Sequence, residues 1–431
     1  MTKKLLFWIF AVFLISNVNA QTKSTQNSSV LDEAPPESVG LSSERLAKID
    51  VMLTDAVTEN QIPGAVALIA RDGKIAFHKA YGMADNPGKK KMTKDAIFRI
   101  ASQTKAITAT AVMILWEEGR FRLDDRISTY IPEFGEAQIL DTFNEKDSTF
   151  TVKPAQDQIT IRDLLTHTSG LGYGVIDGDE RFQKIYAKAG ITDLFTTEDI
   201  PIAESVKKLA RLPLHHNPGD AYQYSEGLDV MGYLVEVVSG MPFDEFLRMR
   251  IFDPLGMDDT WFYLPKDKQN RLVTVQELKN RKWKKYPETF YDTNYPIKGA
   301  KRFFSGGAGL SSTARDYATF LQMYLNEGEL NGKRILSRTT VQSIMGNQTG
   351  ELFSGEHEYY GLAFGIVTPR GQDLGGIGSA GTFDWGGYFN TQYFADPKEK
   401  IIGILMKQTR GEVPDETGWK FRQMVFAAID D

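Results

Sequence analysis

The stretch FRIASQTKAITATAVMILWEEG, residues 98–119, decides the fold. Its apolar spacing reads as a helix over 103–118, and Ser102-Gln-Thr-Lys105 stands at the start of that helix. Residues three apart on a helix share a face, so the Lys105 amine reaches the Ser102 hydroxyl. The positive end of the helix dipole lies at the same place and favours an oxyanion over an ammonium. Both features suit an activated serine nucleophile. An S-x-x-K match alone is weak in a chain of 431 residues, so its meaning depends on what accompanies it.

Outward toward the N-terminus, residues 1–20 read as a secretory signal. Lys3 and Lys4 form a basic start, Leu5 to Ile15 an apolar run, and Val18-Asn-Ala20 a small-residue cleavage site before Gln21. The apolar run is too short for a permanent membrane anchor, and export to a periplasm or the medium is the expectation. Residues 21–37, QTKSTQNSSVLDEAPPE, read as a polar linker. The formal net charge of −6 argues against nucleic acid as a partner and leaves a small-molecule ester or amide as the expected one. With no cysteine, stability has to come from a packed core, and thiol nucleophiles and thiolate metal sites are excluded.

Residues 38–431 read as one catalytic domain. Ser42 to Glu59 has the apolar spacing of a helix, and AVALIARDGKIAFHKAYG turns at Arg71-Asp-Gly-Lys as a hairpin. TQYFADPKEKIIGILMKQ is a second hairpin turning at Asp396-Pro-Lys-Glu, and a last helix covers about 416–429. Strands near both ends with helices between them predict an α+β fold. One antiparallel sheet is built from about 38–100 and 300–431 and flanked by helices, and a mostly helical part of about 101–299 is inserted. Helical patterns lie at 160–166, 204–211, 226–239 and 242–250; 136–158 and 172–203 read as long irregular loops, and 265–300 as a rim.

Two further segments accompany Ser102. Tyr224-Ser-Glu226 follows a Pro-Gly turn and precedes a helix, and Trp385-Gly-Gly387 opens an edge-type strand before the last hairpin. With the supporting stretches ITIRDLLTHTSGLGYG and GGAGLSSTARDYATFLQMYLNEGELNGKRILS, the chain resembles the serine β-lactamase and penicillin-binding-protein superfamily. More narrowly, it is similar to the class C-related serine hydrolases and family VIII carboxylesterases. The resemblance implies that Ser102 is the acylated nucleophile, Lys105 its partner, and Tyr224 a general base or proton relay. It also implies an oxyanion hole made of the Ser102 and Tyr388 backbone N–H groups, with Trp385, Gly386 and Gly387 along the substrate. It implies no cofactor and no metal.

Two departures from that pattern bear on substrate. Glu226 stands where many relatives carry asparagine, and Trp385 stands where β-lactamases and transpeptidases carry the lysine of Lys-Thr-Gly. That lysine holds a carboxylate, whereas Trp385 offers an aromatic wall. Both changes favour neutral acyl esters. Hydrolysis of β-lactams or D-amino-acid peptides, and acyl transfer, are the competing activities on the same fold. His167 in LLTHTSG reads as structural, Tyr222 is the local competitor of Tyr224, and His215-His216 lacks a third ligand at metal spacing.

Overall fold

The computed structural model describes residues 22–353, 355–412 and 415–431, so the signal-sequence expectation for 1–20 lies outside the described residues. The chain enters through helix α1 (Ser43–Thr58), whose N-cap Ser42 accepts a bond from the Arg45 N–H. The hairpin of β1 (Gly64–Arg71) and β2 (Lys74–Asp85) follows. Asp72 and Gly73 both adopt positive φ, 48° and 72°, as a two-residue hairpin turn requires. Helix α2 (Thr104–Glu117) carries the S-x-x-K lysine, and α3 (Gly227–Ser239) follows the Tyr224 motif. Helix α4 (Ala314–Leu325) returns the chain to the sheet. The sheet is then completed by β3 (Glu358–Tyr360), β4 (Gly365–Val367), β5 (Phe383–Gly387), β6 (Thr391–Asp396) and β7 (Ile401–Met406), before helix α5 (Thr417–Ala427).

The sheet is the one expected from the two ends of the chain. Its order is β3-β4-β5-β6-β7-β1-β2, with Asp32–Glu33 beyond β2. The C-terminal β7 pairs antiparallel with the N-terminal β1, from Ile401 opposite Arg71 to Met406 opposite Val66. Every residue of β1 is buried, because helices cover both sheet faces. Leu46, Ile49 and Leu53 of α1 join Phe421 and Val425 of α5 on one face. Tyr317, Ala318 and Leu321 of α4 belong to the core on the other. Helix α2 is apolar nearly all round and buried from Thr104 to Leu115, as a helix in the middle of a core must be.

Four expectations need correction. Residues 22–37 are a strap along the body and not a free linker: Thr22–Lys23 pairs with Lys333–Arg334, Asp32–Glu33 runs parallel to β2, and Leu31 is buried. The segment 136–158 is a hairpin, Gln138–Asn144 against Thr149–Pro154. The segment 172–203 contains the helix Glu180–Ala189, which buries Phe182, Ile185 and Tyr186. The strand β5 is interior to the sheet, although only Phe383 and Asp384 pair with β4. Its Trp385–Gly387 end therefore keeps one open edge. Among the described residues no helix is long and apolar enough to cross a membrane.

Candidate active site

Ser102 lies in a single 3-10 turn, Ala101–Gln103, that runs directly into α2. Ala101 takes φ +43°, a left-handed conformation that costs a residue with a Cβ roughly 1–3 kcal/mol. The surroundings hold it there. Ile100 N–H donates to the Leu310 carbonyl at 3.0 Å, Tyr317 O–H donates to the Gln103 carbonyl at 3.0 Å, and Leu310 N–H donates to Thr104 Oγ1 at 3.1 Å. The turn leaves Ser102 partly exposed while Lys105 is fully buried.

The Lys105 Nζ donates to three oxygens: Ser102 Oγ at 3.3 Å, Tyr173 Oη at 3.0 Å and the Gly307 carbonyl at 2.8 Å. Tyr224 meets the lysine differently, presenting its ring with the centroid 4.6 Å from Nζ. The Tyr224 oxygen accepts from the Trp385 indole N–H at 3.4 Å. Ser102, Lys105, Tyr224 and Trp385 thus converge on one cleft, and the direct phenol partner of the lysine is Tyr173. Tyr173 sits in the Leu171-Gly-Tyr-Gly174 stretch, and the signal that could have found it is a lone tyrosine between two glycines. Burial pushes its phenol well above the ordinary tyrosine range, so it serves as a neutral hydroxyl.

His167 packs against Tyr224. His167, at φ +59° and fully buried, accepts the Ser225 N–H on Nδ1 at 3.2 Å, and its ring centroid is 4.5 Å from that of Tyr224. Burial first, and Lys105 second, lower its pKa well below the usual histidine range, so His167 is neutral and structural. Tyr222 packs instead on Phe353 and Tyr360, at centroid distances of 4.8 and 5.4 Å. His215 stacks on Phe182 and meets Asp177 at 3.2 Å, while His216 faces the Asn217 carbonyl.

The third motif closes the site from the sheet. A Cβ at Gly387 would lie 2.5 Å from the Ile100 carbonyl, so this glycine lets β5 press against the turn that carries Ser102. Gly386 points to the opposite sheet face, as alternation along a strand requires. It lines a cavity of about 510 Å³ with Gln392 and Trp419 there, so only its backbone edge can face the cleft. Tyr388 begins the β5–β6 turn. Its carbonyl accepts from Arg410 at 3.0 Å, and the Arg410 guanidinium stacks 3.6 Å from its ring centroid. Asn390, at φ +69°, donates to Asp415, which the buried Lys407 holds at 2.5 Å.

The wall beyond the turn is backed by an aromatic cluster whose Phe195, Tyr291, Tyr295 and Phe389 are buried and whose Tyr388 is partly exposed. Phe195 stacks on Tyr295 at 4.5 Å and packs near Phe389 at 5.4 Å, with Tyr291 6.1 Å from Tyr388. Phe195 comes from the 172–203 segment, and Tyr291 and Tyr295 come from the expected rim of 265–300. Glu226 does not face this wall; it is buried near Lys105 with Asp193 and Asp229. The arrangement can present a lysine-bound serine oxygen to a carbonyl beside apolar rings.

A family model described as Beta-lactamase matches residues 49–426. An uncharacterized protein of Mycobacterium tuberculosis is 33% identical over 362 residues, covering 80% of this chain and 86% of its own. The esterase EstB of Burkholderia gladioli is 29% identical over 388 residues, covering 85% of this chain and 91% of its own. Among solved structures, EstCE1, described as a hydrolase with promiscuous acyltransferase activity, aligns with TM-score 0.74 at 25% identity, over 90% of this chain and 99% of its own. Since the family match spans nearly all the sheet and helices that bring the serine and lysine together, the chain belongs to the β-lactamase family and is a serine hydrolase.

Proposed function

We propose that this hydrolase cleaves carboxylic esters through an acyl intermediate on Ser102. The Ser102 oxygen attacks the ester carbonyl while its proton passes to the oxygen of Tyr224, which acts from its phenolate form. The Ser102 and Tyr388 N–H groups receive the charge that develops on the carbonyl oxygen. The proton then goes to the departing alcohol, and water releases the acid by the reverse route. Lys105 holds the serine throughout and supplies a fixed positive charge. Trp385 supports this role because its N–H donates to the oxygen that carries the negative charge while Tyr224 is without its proton.

The observation that carries the ester reading is Trp385 itself. The side chain at this position of β5 is an indole bound to Tyr224, where carboxylate-binding relatives place a cation, and the adjoining wall is aromatic. EstB, an esterase by name, adds support.

Intact-mass spectrometry after exposure to a short p-nitrophenyl ester and to a cephalosporin tests the proposal. Rapid ester turnover with little adduct is expected, and Ser102→Ala abolishes it. A stable cephalosporin adduct without ester turnover would replace this reading with a penicillin-binding one. We also infer export of the chain through residues 1–20. Sequencing the N-terminus of protein recovered outside the cytoplasm tests this, and Gln21 is the expected first residue.

A further inference from the structure

Three carboxyl groups lie buried near Lys105: Asp193, Glu226 and Asp229, residues 7%, 3% and 4% exposed. Asp229 has its own donors, accepting from the Gly307 N–H at 3.2 Å and from Ser305. The Asp193 and Glu226 carboxyl groups lie within hydrogen-bonding reach of each other. Two carboxylates cannot share a hydrogen bond, so a bond between them requires a proton on one of the pair. Asp193 Oδ1 and Glu226 Oε1 meet no N–H or O–H donor among the described residues, which a shared proton remedies.

The pair also surrounds Tyr173. The Glu226 N–H donates to the Gly172 carbonyl at 3.1 Å, and the Val175 N–H donates to Asp193 Oδ2 at 2.7 Å, with a further bond from Gly174. The residues on either side of Tyr173 are therefore tied to the two members of one carboxyl pair.

We propose that Glu226 is a positioning residue, a neutral carboxylic acid that donates its proton to Asp193 and so locks Tyr173 against Lys105. This rests on the hydrolase mechanism proposed above. Burial raises the Asp193 carboxyl, but its two backbone N–H donors oppose that rise, which leaves the proton on Glu226. Burial pushes the Glu226 carboxyl well above the ordinary range, and the neighbouring Asp193 and Asp229 push the same way. The other groups facing the pair are Lys105, the Tyr173 and Tyr186 phenols, and Asp177 with His215. Loss of the proton leaves two adjacent buried carboxylates, breaks the bond between them and frees the Tyr173 segment. An asparagine here has no proton to lose, so the glutamate gives this chain a pH dependence that asparagine-bearing relatives lack.

The test compares wild type, Glu226→Gln and Glu226→Ala. Glutamine keeps the shape and an N–H donor for Asp193, so kcat should stay within about threefold of wild type, while alanine should lower kcat roughly tenfold or more with little change in KM. Alkaline loss of kcat should move to higher pH in Glu226→Gln. A second readout needs no turnover. The folded pair holds a proton that the unfolded chain releases above its ordinary carboxyl pKa, so wild-type stability falls as pH rises through neutrality. Thermal melts from pH 5 to 9 should therefore decline less steeply in Glu226→Gln. Equal slopes in the two proteins would overturn the proposal even if the enzyme turned over no ester. A Glu226→Gln variant as inactive as Glu226→Ala would also overturn it.

Discussion

Lys105 spends its three ammonium protons on Ser102, Tyr173 and the Gly307 carbonyl, which separates the two tyrosines by consequence. Removing the Tyr173 hydroxyl leaves a buried ammonium one acceptor short, a loss of about 1–3 kcal/mol. Tyr173→Phe should accordingly lower the melting temperature and reduce kcat by roughly 10–100-fold. Tyr224→Phe removes a hydroxyl that accepts only the long bond from Trp385 among the described residues, so its melting temperature should match wild type. Its kcat should fall by roughly 10²–10⁴, the range for loss of a proton acceptor. Steady-state kinetics alongside thermal melts separate the two. If Tyr173→Phe shows the larger kinetic loss with unchanged stability, Tyr173 is the proton acceptor and the proposed mechanism has its tyrosines exchanged.

At the scale of elements, β5 works by contrast between adjacent glycines. A methyl group at Gly387 would meet Thr391 Oγ1 and the Ile100 carbonyl at 2.2 and 2.5 Å. The turn carrying Ser102 would have to move, at a cost of about 1–3 kcal/mol. At Gly386 the nearest atom is the Thr391 carbonyl at 3.6 Å, an ordinary contact on the far sheet face. Gly387→Ala should lose on the order of 10²-fold in kcat/KM, since small displacements of reacting groups are that costly. Gly386→Ala should keep stability within about 0.5 kcal/mol of wild type and remain active. Comparable damage from both would mean that Gly386 also contacts substrate through its Cα. The sequence discloses the sheet because the residues of β1 and β7 are apolar runs beside turn residues. It conceals the 138–154 hairpin because that hairpin is mostly exposed, and its few apolar residues, Ile139, Leu140, Phe143, Phe150 and Val152, are interleaved with polar ones and carry no strong turn signal between them. The helix Glu180–Ala189 does carry a signal, Phe182, Ile185 and Tyr186 between Asp179 and Gly190, which its polar neighbours obscure. Ser102, Lys105 and Trp385 are legible as motif residues. The bond of Tyr173 to Lys105 and the strain at Ala101 are not, because both depend on chain segments far apart in sequence.

Across the whole molecule, one apolar core joins the parts that the sequence separates. Val66 and Ile404 of the sheet belong to the same buried cluster as Ile107 of α2, Ile161, Phe182 and Leu234 of the inserted part. Arg71, only 6% exposed, closes the other side. It donates to the Val39, Gly40 and Glu399 carbonyls and pairs with Asp431 at 2.9 Å, tying the entry to α1 and the β6–β7 turn to the segment after α5. No part can open without exposing apolar surface of another, so urea unfolding should be a single transition. Loss of ester hydrolysis and loss of far-UV circular dichroism should then share one midpoint. Arg71→Ala leaves the Val39 and Glu399 carbonyls without their donor, while Gly40 keeps the Asp430 N–H, a loss of about 1–3 kcal/mol for each group left unsatisfied. It should lower that common midpoint without splitting it, although Arg71 touches nothing in the cleft. Activity lost at a lower urea concentration than the helical signal, in wild type or in Arg71→Ala, would show that the sheet and the inserted part unfold separately.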